Sequence, residues 1–111
     1  MAKVTIPYHV KADPGEEDDA IIYTVDPALT LRIEEIKLVF PVATYGELEI
    51  SLKRGNETVW PKERPAVGDN TSLRFPVDLT YPSGSNVVVH YKNTSDTDVH
   101  EAFIYLVGEL R

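Results

Sequence analysis

Apolar and polar residues alternate along most of this chain. Val4, Ile6, Tyr8 and Val10 alternate with Lys3, Thr5, Pro7 and His9, and Leu48, Ile50 and Leu52 with Glu47, Glu49, Ser51 and Lys53. Leu73, Phe75, Val77 and Leu79 alternate with Ser72, Arg74, Pro76 and Asp78. A period of two sends neighbouring side chains to opposite faces of an extended strand, so each segment predicts a strand with one face on a core and one in water. Ala20 to Val25, Asn86 to Lys92 and Val99 to Val107 predict further strands, and Thr58-Val59-Trp60 a short one. In the last long strand the run from Ala102 to Val107 is apolar on both faces.

The segment from Leu29 to Phe40 changes phase. Its apolar residues are odd-numbered at Leu29, Leu31 and Ile33 and even-numbered at Ile36, Leu38 and Phe40. A strand keeps its buried face across such a change only by inserting a residue, which predicts a β-bulge at Glu34-Glu35. Leu29, Arg32, Ile33, Ile36, Lys37 and Phe40 also stand near helical spacing, but the β-branched and aromatic run from Ile36 to Phe40 favours a strand.

Turn signals separate these runs: Asp13-Pro14-Gly15, Asp26-Pro27, Tyr45-Gly46, Arg54-Gly55-Asn56, Gly68-Asp69-Asn70, Pro82-Ser83-Gly84-Ser85 and Asn93-Thr94-Ser95-Asp96. Short strands with frequent turns predict an all-β, antiparallel two-sheet sandwich of about eight strands, jelly-roll-like, filling residues 1–111 as one domain. Lys53 to Thr58 reads as a tight hairpin and Pro61 to Asn70 as a surface loop between the sheets.

Composition narrows the function. A chain of 111 residues buries roughly two thirds of its unfolded surface, enough for one core. There is no cysteine, which excludes disulfides, thiolate metal sites and cysteine nucleophiles. The formal net charge of −7, with scattered Lys and Arg, opposes binding to nucleic acid and suits a basic protein surface or a metal ion. Residues 1–7 lack the apolar stretch of a signal peptide, and no apolar run nears the ~20 residues of a membrane-spanning helix. No nucleic-acid or membrane partner is expected.

The candidate chemistry is sparse. Asp13, Glu16, Glu17, Asp18 and Asp19 form an acidic run that supplies oxygen ligands of the type calcium takes, although the spacing is not that of an EF-hand. A solvated acidic loop is the plainer reading, and no metal or cofactor is expected to be required. His9, His90 and His100 lack ligand spacing, but His90 and His100 fall on consecutive predicted strands as candidate cross-strand neighbours. No nucleophile elbow, phosphate-binding glycine loop or dinucleotide fingerprint occurs, which argues against an enzyme. Asn56, Asn70 and Asn93 head N-glycosylation patterns that also serve as turn chemistry. Trp60, Tyr45 and Tyr81 are the aromatics that would stack on sugar rings if exposed.

The doubly apolar last strand implies a second buried face. Val87, Val89, Tyr91, Phe103, Tyr105 and Val107 form the bulkier set and are expected in the core, which leaves Val88, Ala102, Ile104 and Leu106 as a candidate protein interface. The stretches Gly84 to Asn93 and Phe103 to Gly108 look like the last two strands of a jelly roll. With the acidic surface and the absence of a catalytic motif, the pattern resembles the small jelly-roll decoration, fibre and minor capsid proteins of viruses and phages. It also resembles carbohydrate-binding modules. The first resemblance implies a non-catalytic structural subunit of a virion, homo-oligomeric or laid on a larger assembly. The second implies glycan binding by Trp60, Tyr45 and Tyr81.

Overall fold

The structure, a computed structural model, describes residues 2–111; Met1, the first residue of the expected domain, lies outside them. Its strands are β1 (Ala2–Ala12), β2 (Glu17–Thr24), β3 (Leu31–Phe40), β4 (Leu48–Arg54), β5 (Glu57–Trp60), β6 (Thr71–Tyr81), β7 (Asn86–Asn93) and β8 (His100–Leu110). They form two antiparallel four-stranded sheets of order β1-β8-β3-β6 and β2-β7-β4-β5. Apart from the β4–β5 hairpin, each strand is followed by one in the opposite sheet, and the two sheets interleave as the double Greek key of a jelly roll.

The alternation places the core as expected for most strands. Val10, Leu31, Ile33, Ile36, Leu38, Phe40, Leu48, Ile50, Leu52, Val87 and Val89 are buried between the sheets. The predicted bulge is present. Ile33 faces Gly108 and Ile36 faces Leu106, so β3 spends one more residue than β8 over the same stretch. Both Ile33 and Ile36 thereby reach the core. Backbones approach closely there, and a Cβ on Gly108 would overlap the carbonyl oxygen of Arg32. A further irregularity in β2, between Ile21 and Tyr23, carries no such phase signal in the sequence.

Two expectations about the last strands are corrected. His90 and His100 are not cross-strand neighbours, because β7 and β8 lie in different sheets. The inner face of β8 is Ala102, Ile104 and Leu106, all buried in the chain's own core, while Phe103, Tyr105 and Val107 face outward and are half-buried. Register with β3 decides this. Leu106 pairs with Ile36 and Ile104 with Leu38, and paired residues share a face. Ala102, Ile104 and Leu106 are thus core residues and not an interface. Val88 does lie on the outer face of its sheet, but it is buried between its register partners Ile21 and Lys53.

Candidate functional site

Four loops meet at one end of the sandwich: 13–16, 41–47, 61–70 and 94–99. Hydrogen bonds tie them together. Gly15 N donates to Ser95 O (3.0 Å), Gly46 N to Gly68 O (3.2 Å), Asn70 N to Pro41 O (3.2 Å) and Thr94 N to Glu47 O (2.8 Å). Thr44 N donates to Asp69 Oδ1 (3.0 Å). Asn93 is the buried pin of the assembly: its Nδ2 donates to the carbonyls of Ala12, Asp13 and Asp98 at 3.1, 3.2 and 2.8 Å. Its side chain is therefore committed to the fold, in line with the reading of its Asn-x-Ser pattern as turn chemistry.

Among the described residues, this end carries most of the large apolar side chains left in water. Val42 is 72% exposed and Tyr45 67%, and Val67 and Val99 are also exposed. The fifth such residue, Ile21, lies on the outer face of β2. Val42 and Val99 line one surface depression of about 210 Å³ with Pro41, Ala43, Thr44, His100 and Glu101. Among the described residues, the three non-glycine residues with positive φ, Ala43 (69°), Tyr45 (54°) and Asn70 (48°), also sit here. Left-handed backbone is costly for a residue with a Cβ, by about 1 kcal/mol, and such strain concentrates where a surface has a task.

The charge of this end is acidic. Asp13, Glu16, Glu47, Asp69, Asp96 and Asp98 stand against Lys62 and Arg64. Glu47 Oε1 lies 2.9 Å from His100 Nε2, and Asp98 approaches the same pair. Sequence reading passed over this group because its members sit 47, 98 and 100 along the chain and only the fold joins them.

The sequence-predicted candidates disperse. In the acidic run, Glu16 accepts from Asp13 N (2.9 Å) and from Tyr91 OH (3.4 Å), and Asp18 accepts from Asp19 N (2.8 Å). Glu17 and Asp19 contact the two nitrogens of His90 at 3.0 and 2.5 Å, and Lys53 Nζ reaches Asp19 at 3.0 Å. The His90 hydrogen bond, reinforced by Lys53, holds the Asp19 carboxyl below its ordinary value. Among the described residues the five acidic candidates form no three-ligand group. His9 instead stacks on Phe103 with ring centroids 4.6 Å apart.

Of the aromatic candidates, Tyr81 is a correction. It is fully buried, donates its hydroxyl to Lys53 O (3.2 Å), and has its pKa pushed up to about 12 by burial, so it offers no face to a sugar. Trp60 is half-buried edge-on against Phe75, with centroids 5.2 Å apart. Tyr45 is the most exposed of the three, at the loop end.

The class of protein defined by this geometry is a jelly-roll sandwich with one apolar, acidic loop end. No protein-family model matches the sequence, and comparison with curated proteins finds no match. Among solved structures, the chain is similar to one in the acidic stable capsid structure of Helicobacter pylori bacteriophage KHP30. The TM-score is 0.56 at 18% identity, and the likeness covers 97% of this chain and 94% of the other. The likeness is one of fold.

Proposed function

We propose that the chain is a non-catalytic structural subunit of a virus or phage particle, and that its loop end docks on a basic protein subunit of that particle. The observation that carries this reading is the jelly roll shared with a phage capsid structure over nearly the whole of both chains. The choice of surface rests on Val42, Tyr45, Val67 and Val99, large apolar side chains exposed at this end. The choice of partner rests on charge. Two copies meeting loop end to loop end would oppose like-charged surfaces, whereas a basic partner complements them. A homo-oligomer through this end is therefore disfavoured, and the larger-assembly form of the expectation is the one retained.

A photo-crosslinking residue placed at Tyr45 or Val99, in particles assembled in the native host, tests this. Crosslinks to a basic particle protein are expected from both positions and not from Ala28, at the opposite end. A chain that stays out of the particle overturns the structural role. Self-crosslinks at Tyr45 overturn the partner. Specific binding on a glycan array, lost in Trp60→Ala or Tyr45→Ala with folding retained, would replace the proposal with the carbohydrate-binding alternative.

A further inference from the structure

We propose that Glu47, Asp98 and His100 form a binding site for a divalent ion of the zinc class. The three side chains come from separate segments: Glu47 ends the β3–β4 loop, Asp98 lies in the β7–β8 loop and His100 opens β8. One donor atom of each lies within 4.8 Å of the other two, and the imidazole and the Glu47 carboxylate are already 2.9 Å apart. A buried imidazole with two carboxylates is a donor set for zinc and its first-row neighbours, whereas calcium and magnesium favour oxygen alone.

The charge balance points the same way. Among the described residues no Lys or Arg pairs with the carboxylate of Glu47 or Asp98, and the one ion-pair partner of Glu47 is His100. Elsewhere, converging carboxylates are compensated: Lys3 bridges Glu34 and Glu109 at 2.9 Å each, and Lys53 joins His90 at Asp19. Two carboxylates this close repel unless a cation lies between them. A divalent ion supplies two positive charges against the two negative ones.

The geometry needs little adjustment. The His100 side chain is 4% exposed, so its ring is held by the surrounding fold. Asp98 is exposed. Metal bonds of about 2.1 Å in a tetrahedral shell put donors about 3.4 Å apart, a closure within reach of Asp98 by side-chain rotation. Solvent supplies the fourth position, and His100 also lines the depression beside Pro41, Thr44 and Val99. An ion here ties the β3–β4 loop to the β7–β8 loop in a chain with no cysteine to do so. The site stands independently of what the loop end docks on.

Thermal unfolding of the full chain in Zn²⁺ or Co²⁺, against a chelator, tests the site. The metal is expected to raise Tm by about 10 °C at an excess of roughly 100-fold over Kd. Asp98→Asn is expected to weaken binding at least tenfold and to leave the Tm in chelator unchanged. His100→Gln abolishes binding by the same logic, but it alters a buried position, so the exposed Asp98 carries the decision. His9→Gln and His90→Gln are expected to retain the effect. The proposal is overturned if neither metal raises Tm, if the rise is undiminished in Asp98→Asn, or if it disappears only in His9→Gln or His90→Gln.

Discussion

At the end of the sandwich formed by the β2–β3, β4–β5 and β6–β7 turns, Val25, Leu31 and Tyr81 are fully buried. Hydrogen bonds close those turns, with Val25 N donating to Ser85 O (2.9 Å) and Gly84 N to Val25 O (2.9 Å). The positive φ angles there belong to Gly55 and Gly84, which adopt them without steric cost. At the opposite end, Val42, Tyr45, Val67 and Val99 stand in water, and alanine, tyrosine and asparagine hold left-handed backbone. The same fold thus has one end arranged for stability and one whose features lower it. Hydrophobic burial explains the first end. The second is what docking on a partner, as proposed above, would explain.

The hardest test of this contrast is in the shared core. Ile104→Asp places a carboxylate without a partner among Leu38, Leu106 and their neighbours, and is expected to unfold the chain, as read by loss of the β-sheet circular dichroism signal. A folded but dissociated variant would return Ile104 to an interface. Next in size is a matched pair of tyrosines. Tyr81→Ala, at the closed end, is expected to cost about 3–5 kcal/mol in denaturant unfolding, as for other buried aromatics. Tyr45→Ala, at the loop end, should stay within about 0.5 kcal/mol. Equal losses would erase the distinction between the ends.

Alkaline titration probes the closed end through the same side chain. Burial raises the Tyr81 pKa from 10.0 to about 12, so the folded state holds the phenolic proton more tightly than the unfolded chain. Its contribution is complete below pH 10 and is lost as pH rises toward 12, a fall of about 2–3 kcal/mol. Tyr81→Phe should flatten that part of the stability curve, and an unchanged curve would show that the hydroxyl is not sealed. A further small effect is expected at the loop end and has the opposite sign. Ala43→Gly relieves a φ of 69° and should raise stability by about 0.5–1 kcal/mol, an increase in Tm of a few degrees. A loss would mean that the Ala43 methyl packs usefully, and that the loop end is not strained there.

Much of the fold is legible in particular residues. The phase change between Ile33 and Ile36 predicts the bulge because a strand has two faces and only one can be dry. The hairpin at Gly55-Asn56 follows from turn chemistry, and the alternation in β1, β4 and β6 follows from half-burial. The orientation of β8 is not legible. With Ala102, Ile104 and Leu106 on one face and Phe103, Tyr105 and Val107 on the other, both faces are apolar, and bulk points to the wrong one. The outer aromatics are accommodated instead by surface partners, His9 stacked on Phe103 and the Lys37 ammonium 5.9 Å from the centre of the Tyr105 ring.

The sequence by itself determined the local conformations: which residues are extended, where the chain turns, where a strand must bulge, and the acidic sign of the surface. These depend on contacts between near neighbours and on whether a side chain prefers water. The tertiary structure decided which strands share a sheet, which face of β8 is inner, and that Glu47, Asp98 and His100 meet at the loop end. Those outcomes depend on pairing between segments far apart in the chain, and a pattern of period two repeats in every strand without naming its partner.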